Sequence, residues 1–293
     1  MDAHATGPAI VWLGTPECTD PDLVGPKAAH LSALAAAQPV PAGFCLTAAT
    51  HRASLRDGGL TPALRSAVRA AYERLTHDAG HAGDSVAVRS SALDEDGAVT
   101  SFAGQHDTYL NVVGIDALLA AIEGAWASLH GEAALRYRRA RGAGAHDLAL
   151  AVLVQRMVWA DAAGVAFSLD PLTGDADRVV ISAAWGLGES VVAGTITPDT
   201  WTLRKRDLSL LDARLGDKER MMIPSERGTR EVTVPSFLRT RPSLADHELR
   251  RVAEVTRALE LERGWPVDIE FAWREGEFAL LQCRPVTASG TYA

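Results

Sequence analysis

A mixed α/β or α+β fold is predicted by three observations. Apolar runs rich in β-branched residues recur along the 293-residue chain. Stretches whose apolar residues repeat at helical spacing lie between them. Gly and Pro punctuate the boundaries, and strands mixed with helices in this way point to a layered sheet-and-helix domain. Hydrophobic residues make up 47% and charged residues 23%, which is globular composition. The length suits one large domain or two lobes around a sizeable core.

The elements follow in order. Residues 28–37 read as a short helix that Pro39 and Pro41 stop. Thr61 caps a helix over 62–76, with Pro62 in its first turn and Leu64, Val68, Ala71, Tyr72 and Leu75 on one face. Residues 115–129 repeat the pattern, and Gly131 to Ala140 read as a more basic helix. Ser243 with Asp246 three residues on is a capping-box-like start for a helix to Arg263, ended by Gly264 and Pro266. Strands are expected at 85–90, 149–158, 164–169, 178–184, 267–273 and 277–283. The charged stretch 204–231 reads as surface turns and short strands.

Several function classes are excluded. A net charge of −8 with Arg scattered among acids suits no nonspecific nucleic-acid binder. No apolar run reaches the ~18 residues of a membrane span. The start of the chain has no signal-peptide pattern. Cys18, Cys45 and Cys283 are odd in number and far apart, which suits a reducing cytosol better than a disulfide framework. The nine histidines form no HxH or HExxH pair, and no Gly-x-Ser-x-Gly elbow occurs, so no resident nucleophile is expected.

The last two strands are the most informative feature. If Arg274-Glu275-Gly276 is a three-residue loop, Trp273 pairs with Glu277 and Asp268 faces Gln282. Glu270 then faces Leu280, with Gln282 diagonal to it. One face carries Val267, Ile269, Phe271 and Trp273 opposite Ala279 and Leu281; the other presents two carboxylates and an amide. Two adjacent acids repel unless a cation sits between them, and a hard divalent ion such as Mg²⁺ suits oxygen ligands. A solvated face of an ordinary amphipathic hairpin has the same pattern. A loop of another length would flip the parity.

Three further motifs could meet phosphate. Val24-Gly25-Pro26-Lys27 precedes a helix, whose N-terminus attracts anions. Only three of the 29 basic residues are Lys (Lys27, Lys205, Lys218), so Lys27 hints at a site that wants a compact ammonium, whereas Lys205 and Lys218 in their charged stretch suggest nothing similar. Arg89, in Val88-Arg89-Ser90-Ser91-Ala92, ends an apolar strand beside Asp94, Glu95 and Asp96. Its guanidinium can hold two phosphate oxygens, or simply pair with those acids. Trp185-Gly186-Leu187-Gly188-Glu189 follows another strand and allows close backbone approach, as any tight turn does.

Taken together, VGPKAAHLSAL, PVPAGFCLT, VAVRSSALDEDG, SFAGQHDTYLNV, VLVQRMV, GVAFSLDPLTG, WGLGESVVAGTITPD, DIEFAW and LLQCRPVT resemble the N-terminal ATP-binding domain of the phosphoenolpyruvate synthase and pyruvate phosphate dikinase family. Rifampicin phosphotransferases share that domain. The resemblance runs from about residue 24 to 287. It implies an ATP-grasp-like fold, with lobes at 1–155 and 156–293 clamping ATP and Mg²⁺. It implies phosphate contacts from Lys27, Arg89 and Arg284, and a loop with Gly104 and Thr108 over the phosphates. It also implies an adenine frame of Gln155 and the Met157–Val158 backbone, nucleotide contact from Glu189, and metal ligands Asp268, Glu270 and Gln282. One departure stands out: Pro26 replaces a family glycine and removes a backbone N–H that a phosphate could use.

The leading expectation is the ATP-binding subunit of a split dikinase, which yields AMP and phosphate and phosphorylates a histidine on a separate carrier or acceptor-substrate subunit. Direct phosphorylation of a small molecule and a non-catalytic nucleotide-binding module are the alternatives, and the chain can also be a piece of a longer protein. Neither nucleic acid nor membrane is an expected partner.

Overall fold

The computed structural model describes residues 7–77, 84–93, 108–129 and 149–286. The helix expected at 131–140, the acids Asp94, Glu95 and Asp96, and Gly104 lie outside these residues.

Strands β1 (Ile10–Trp12), β2 (Gly43–Leu46), β3 (Ser85–Ala92), β4 (Thr108–Val113) and β5 (Leu150–Arg156) form a five-stranded sheet in the order β1-β2-β5-β3-β4. A six-stranded sheet of order β13-β12-β6-β7-β8-β9 uses β6 (Ala162–Phe167), β7 (Arg178–Trp185), β8 (Asp199–Arg204), β9 (Leu210–Arg214), β12 (Val267–Arg274) and β13 (Glu277–Pro285). Strands β10 (Arg220–Pro224) and β11 (Thr229–Thr233) pair only with each other. Neighbouring strands in all three sheets are antiparallel, which decides for α+β over α/β, since parallel pairs need long crossovers.

The helices are α1 (Pro21–Leu34), α2 (Ala48–Asp57), α3 (Pro62–Thr76), α4 (Ile115–Ser128), the short α5 (Glu189–Val192) and α6 (Ser236–Arg239), and α7 (Asp246–Arg263). Thr61 caps α3 as expected, its hydroxyl accepting the Leu64 N–H at 3.2 Å. Helix α1 starts seven residues before the expected position 28, because Asp20 caps it and Pro21 opens it. Helix α2 is not legible from apolar spacing; its buried residues are Ala48, Thr50, His51 and Ser54, small or polar. The expected cap of α7 is wrong. Ser243 turns to Asp199 instead, and the helix begins at Asp246, with the Glu248 carboxylate accepting the Ala245 N–H at 2.7 Å.

The strands alternate between two cores, as period-two side chains require. Phe44, Leu46, Val152 and Val154 pack against α3 and α4. Cys45 and Leu153, on the opposite face, join Val24, Ala28 and Leu31 of α1. The same core continues into the second sheet through Ile181, Ile269 and Phe271, which Val252 and Leu259 of α7 cover. At ~1.5–3 kcal/mol per fully buried large aliphatic side chain, this shared core ties α1 to both sheets.

Candidate functional site

The face of the second sheet left uncovered by α7 lines a cleft of about 500 Å³ whose other wall is the first sheet and the start of α1. Lys27, Arg89, Thr108, Gln155, Met157, Val158, Glu189, Asp268, Glu270, Gln282 and Arg284 all line it. Of the expected nucleotide and metal contacts, Gly104 alone is not placed, since it falls outside the described residues, as do the acids Asp94, Glu95 and Asp96.

Lys27 owes its position to a kink. Gly25 has φ +75° and ψ 157°, a conformation that L side chains rarely adopt. A Cβ there would lie 2.4 Å from the Ser91 hydroxyl and 2.7 Å from the Ser91 carbonyl. Pro26 follows at the start of the second helical piece, where a missing N–H breaks no intrahelical bond. The lost donor therefore leaves the helix intact, and the next turn is anchored by the Ala28 N–H donating to Ser91 Oγ at 3.4 Å. Lys27 thus stands at the positive end of a helix that opens on the cleft.

The hairpin β12–β13 departs from the expected register. The turn has two residues, Glu275 (φ +52°) and Gly276 (φ +84°), so Arg274 pairs with Glu277 and Trp273 with Phe278. That shift alone would have broken the parity. A bulge restores it: Phe271 pairs with Leu280 but Glu270 with Gln282, leaving Leu281 as the extra residue. Glu270 consequently faces Gln282 directly, and Asp268 faces Arg284. Phe278 and Leu280 join the core in place of the expected Ala279 and Leu281, and Leu281 lines the cleft.

The two carboxylates are already matched by cations, and these are arginines. Arg89 Nη1 donates to Glu270 Oε2 at 3.1 Å, bringing together residues 181 apart in sequence. Arg284 Nε donates to Asp268 Oδ2 at 2.8 Å. Two guanidinium groups thus sit where a cation between adjacent acids was expected. Among the described residues, no group of three His, Cys, Asp or Glu side chains could hold a metal. Yet each pair uses one carboxylate oxygen, and Mg²⁺ is bound through one or two carboxylates plus the phosphates of its substrate. Asp268, Glu270 and the Gln282 amide oxygen fit as such a partial oxygen set. Burial pushes the Asp268 carboxyl above its ordinary range; Arg284 pulls it down and Glu270 pushes it up again. Burial is the largest of these effects, and the carboxyl stays raised despite the ion pair.

Several cleft groups lack partners among the described residues: Arg89 Nε, Ser90 Oγ and one Glu189 carboxylate oxygen are buried without a hydrogen bond. Buried polar atoms are usually paired, so these three are open to a polar ligand entering the cleft. At the other end, the Gln155 amide donates to the Pro41 carbonyl at 3.1 Å, and the Met157 N–H donates to the Ser85 carbonyl at 3.0 Å. The Met157 N–H expected beside a base is thus already engaged. Sequence reasoning missed Phe167, Leu172 and Val192, which also line the cleft. Leu172 is 82% exposed and Val192 46%; only their positions after the strands β6 and β7 hinted at them.

Opposed cationic and carboxylate groups beside unsatisfied donors and acceptors line a cleft between two antiparallel sheets, a composition that suits a charged, polar ligand. Residues 51–292 match the family model "Pyruvate phosphate dikinase, AMP/ATP-binding domain". The chain belongs to this family. It is 34% identical over 315 residues to a probable phosphoenolpyruvate synthase of Methanocaldococcus jannaschii, covering 95% of this chain and 26% of that protein. It is 38% identical over 299 residues to the prodigiosin synthesizing transferase PigC of Serratia marcescens (95% and 33%). It is 34% identical over 297 residues to a rifampicin phosphotransferase of Streptomyces sviceus (90% and 34%). The chain thus spans between a quarter and about a third of the length of these relatives. Among the described residues, no helix is long and apolar enough to cross a membrane.

Proposed function

We propose that the chain is the ATP-binding, phosphoryl-donating module of a dikinase-type phosphotransferase, an ATP-grasp-like clamp working in the cytosol. The observation that carries this reading is the meeting of Lys27, Arg89 and Arg284 with Asp268, Glu270 and Gln282 in one cleft. In this reading Lys27, at the helix start, holds the polyphosphate as a point charge. Arg89 turns its planar fork from Glu270 towards the transferring phosphoryl group, and Arg284 neutralises charge beside it. Asp268, Glu270 and Gln282 would hold Mg²⁺, which when bound neutralises phosphate oxygens and aligns them for in-line displacement. Thr108 flanks the phosphates, Gln155 and the Met157–Val158 segment frame the base, and Glu189 accepts from nucleotide hydroxyls.

The acceptor in this proposal is a histidine on a separate carrier or acceptor-substrate subunit, and ATP, water and that histidine give AMP, phosphate and phosphorylated carrier: one phosphoryl group goes to the histidine and the other to water. Neither nucleic acid nor membrane takes part. Incubating the chain with ATP, Mg²⁺ and phosphohistidine-type proteins encoded beside it tests this by chromatography of the nucleotides. AMP with an acid-labile phosphoprotein is expected, and ADP as the sole product overturns the dikinase chemistry. A second reading, direct transfer to a small molecule, draws on the exposed Leu172 and Val192 at the cleft and on relatives named for rifampicin and prodigiosin. It requires turnover with a metabolite and no carrier protein.

A further inference from the structure

The hairpin β10–β11 belongs to neither main sheet, yet it touches both walls of the cleft. Its first strand is tied to the second sheet's side, where the Leu187 N–H donates to the Met222 carbonyl at 2.9 Å. That contact needs the preceding glycine: at Gly186 (φ +78°) a Cβ would lie 2.4 Å from the Met222 carbonyl oxygen. Leu187 itself lines the cleft. The turn of the hairpin is tied to the first sheet by one side chain, Asn111 of the edge strand β4. Its Nδ2 donates to the Ser225 carbonyl at 2.6 Å and to the Gly228 carbonyl at 2.8 Å.

Asn111 is placed for this by a distortion. The β3–β4 pairing shifts between Val86 and Val88, and Asn111 there has φ +53°. Asn tolerates that left-handed conformation better than most residues, and bulges re-aim side chains. Asn111 is only 3% exposed, and its remaining oxygen accepts from Ser85 Oγ at 2.7 Å. The Ser85 carbonyl in turn accepts the Met157 N–H at 3.0 Å. Met157 begins the connection from β5 to β6, the segment by which the chain crosses from the first sheet to the second. The covalent crossing and the hairpin therefore meet at Asn111 and Ser85.

We infer that Asn111 is a positioning residue, which clasps the β10–β11 hairpin to the first sheet and, through Ser85, orders the Met157–Val158 segment at the base end of the cleft. The clasp stands on hydrogen bonds alone; its effect on nucleotide rests on the proposed base-framing role of Met157 and Val158. Asn111 touches no phosphate-binding group, so it tunes recognition of the base and leaves polyphosphate binding alone.

The test uses Asn111→Asp, which is isosteric but loses both donors and sets a carboxylate against two carbonyls, in the full chain. Hydrogen exchange without ligand should quicken together in residues 220–233 and 157–161. Calorimetry should show ATP affinity falling about tenfold, the scale of one or two hydrogen bonds, with inorganic tripolyphosphate affinity unchanged. Faster exchange confined to the hairpin, with 157–161 and ATP affinity as in the wild type, overturns the inference, as does an equal loss for ATP and tripolyphosphate. Should Asn111→Asp fail to fold, Ser85→Ala cuts only the inner link. It should quicken 157–161 alone and lower ATP affinity about threefold, and no change in either overturns the inference. A wild-type chain that binds neither ATP nor tripolyphosphate refutes the nucleotide reading, while the paired exchange changes still decide the clasp.

Discussion

Two ion clusters in this molecule pair the same charge types and differ in how deeply they are buried and how fully their groups are satisfied. Lys218 Nζ donates to Asp199 Oδ1 at 2.5 Å, and both side chains are wholly buried. The Lys ammonium also donates to the Gly216 carbonyl, while Asp199 accepts from the Gly216 N–H and from the Ser243 N–H and hydroxyl. Both Asp199 oxygens are engaged, and the knot joins the end of the β7–β8 connection to the approach to α7. The cleft cluster has the same charge types but unfilled capacity. Arg89 meets Glu270 through one nitrogen and leaves a buried Nε unpaired, and both side chains stay 17–18% exposed. A sealed, satisfied cluster has nothing to offer a ligand, whereas one with free donors in a cleft does. The contrast also corrects the reading of lysine scarcity: Lys218 is as specifically placed as Lys27, but for architecture.

The largest expected effect comes from breaking the sealed cluster. Lys218→Met leaves Asp199 buried and short of a partner, which should cost about 3–5 kcal/mol and lower the melting temperature by roughly 10 °C, measured by calorimetry. Glu270→Ala should do the reverse, lowering ATP turnover about 10²–10³-fold with melting nearly unchanged. A variant with wild-type turnover would remove Glu270 from the machinery. Gly25→Ala falls between the two kinds of change. Strain at φ +75° and the clash with Ser91 should cost ~1–3 kcal/mol and also weaken ATP binding, because Lys27 moves with the kink.

Asp268→Asn sharpens the contrast through pH. The folded Asp268 carboxyl is raised, so its contribution to stability is full below its unfolded pKa and is lost as pH rises through the folded one. The melting-temperature difference, variant minus wild type, should therefore grow from pH 3 to pH 7. A difference that shrinks as pH rises would mean that the Arg284 pair outweighs burial. The smallest effect is expected from Pro26→Gly: about 0.5–1 kcal/mol of stability through a looser unfolded chain, with ATP affinity within about threefold.

What could be read from the residues was local. The helix 62–76 matches α3 to the residue, since its cap, its proline and its apolar face all lie within the segment. The six expected strands appear within two residues at each end, as apolar runs bounded by turn residues should. The short β1 and β2 and the polar-faced α2 carry too few large apolar side chains to show a period. Asn111 left no trace beyond its place in a motif, because its partners lie 114 and 117 residues away.

By itself the sequence determined which chemical groups the chain brings to its site, and the GP step that holds Lys27 at a helix start. It also determined the alternation that puts Asp268 and Glu270 on one face of a strand. Those follow from steric rules acting over a few residues. Whether Gln282 and Arg284 stand opposite those acids was decided only in three dimensions. A two-residue turn set one parity, and the bulge at Leu281 reversed it so that Leu280 and Cys283 could both reach the core. The pairing of Arg89 with Glu270 and the burial of Lys218 belong to the same level. Each joins segments far apart in the chain, and only packing of the sheets and the shared core around α1 decides which of them meet.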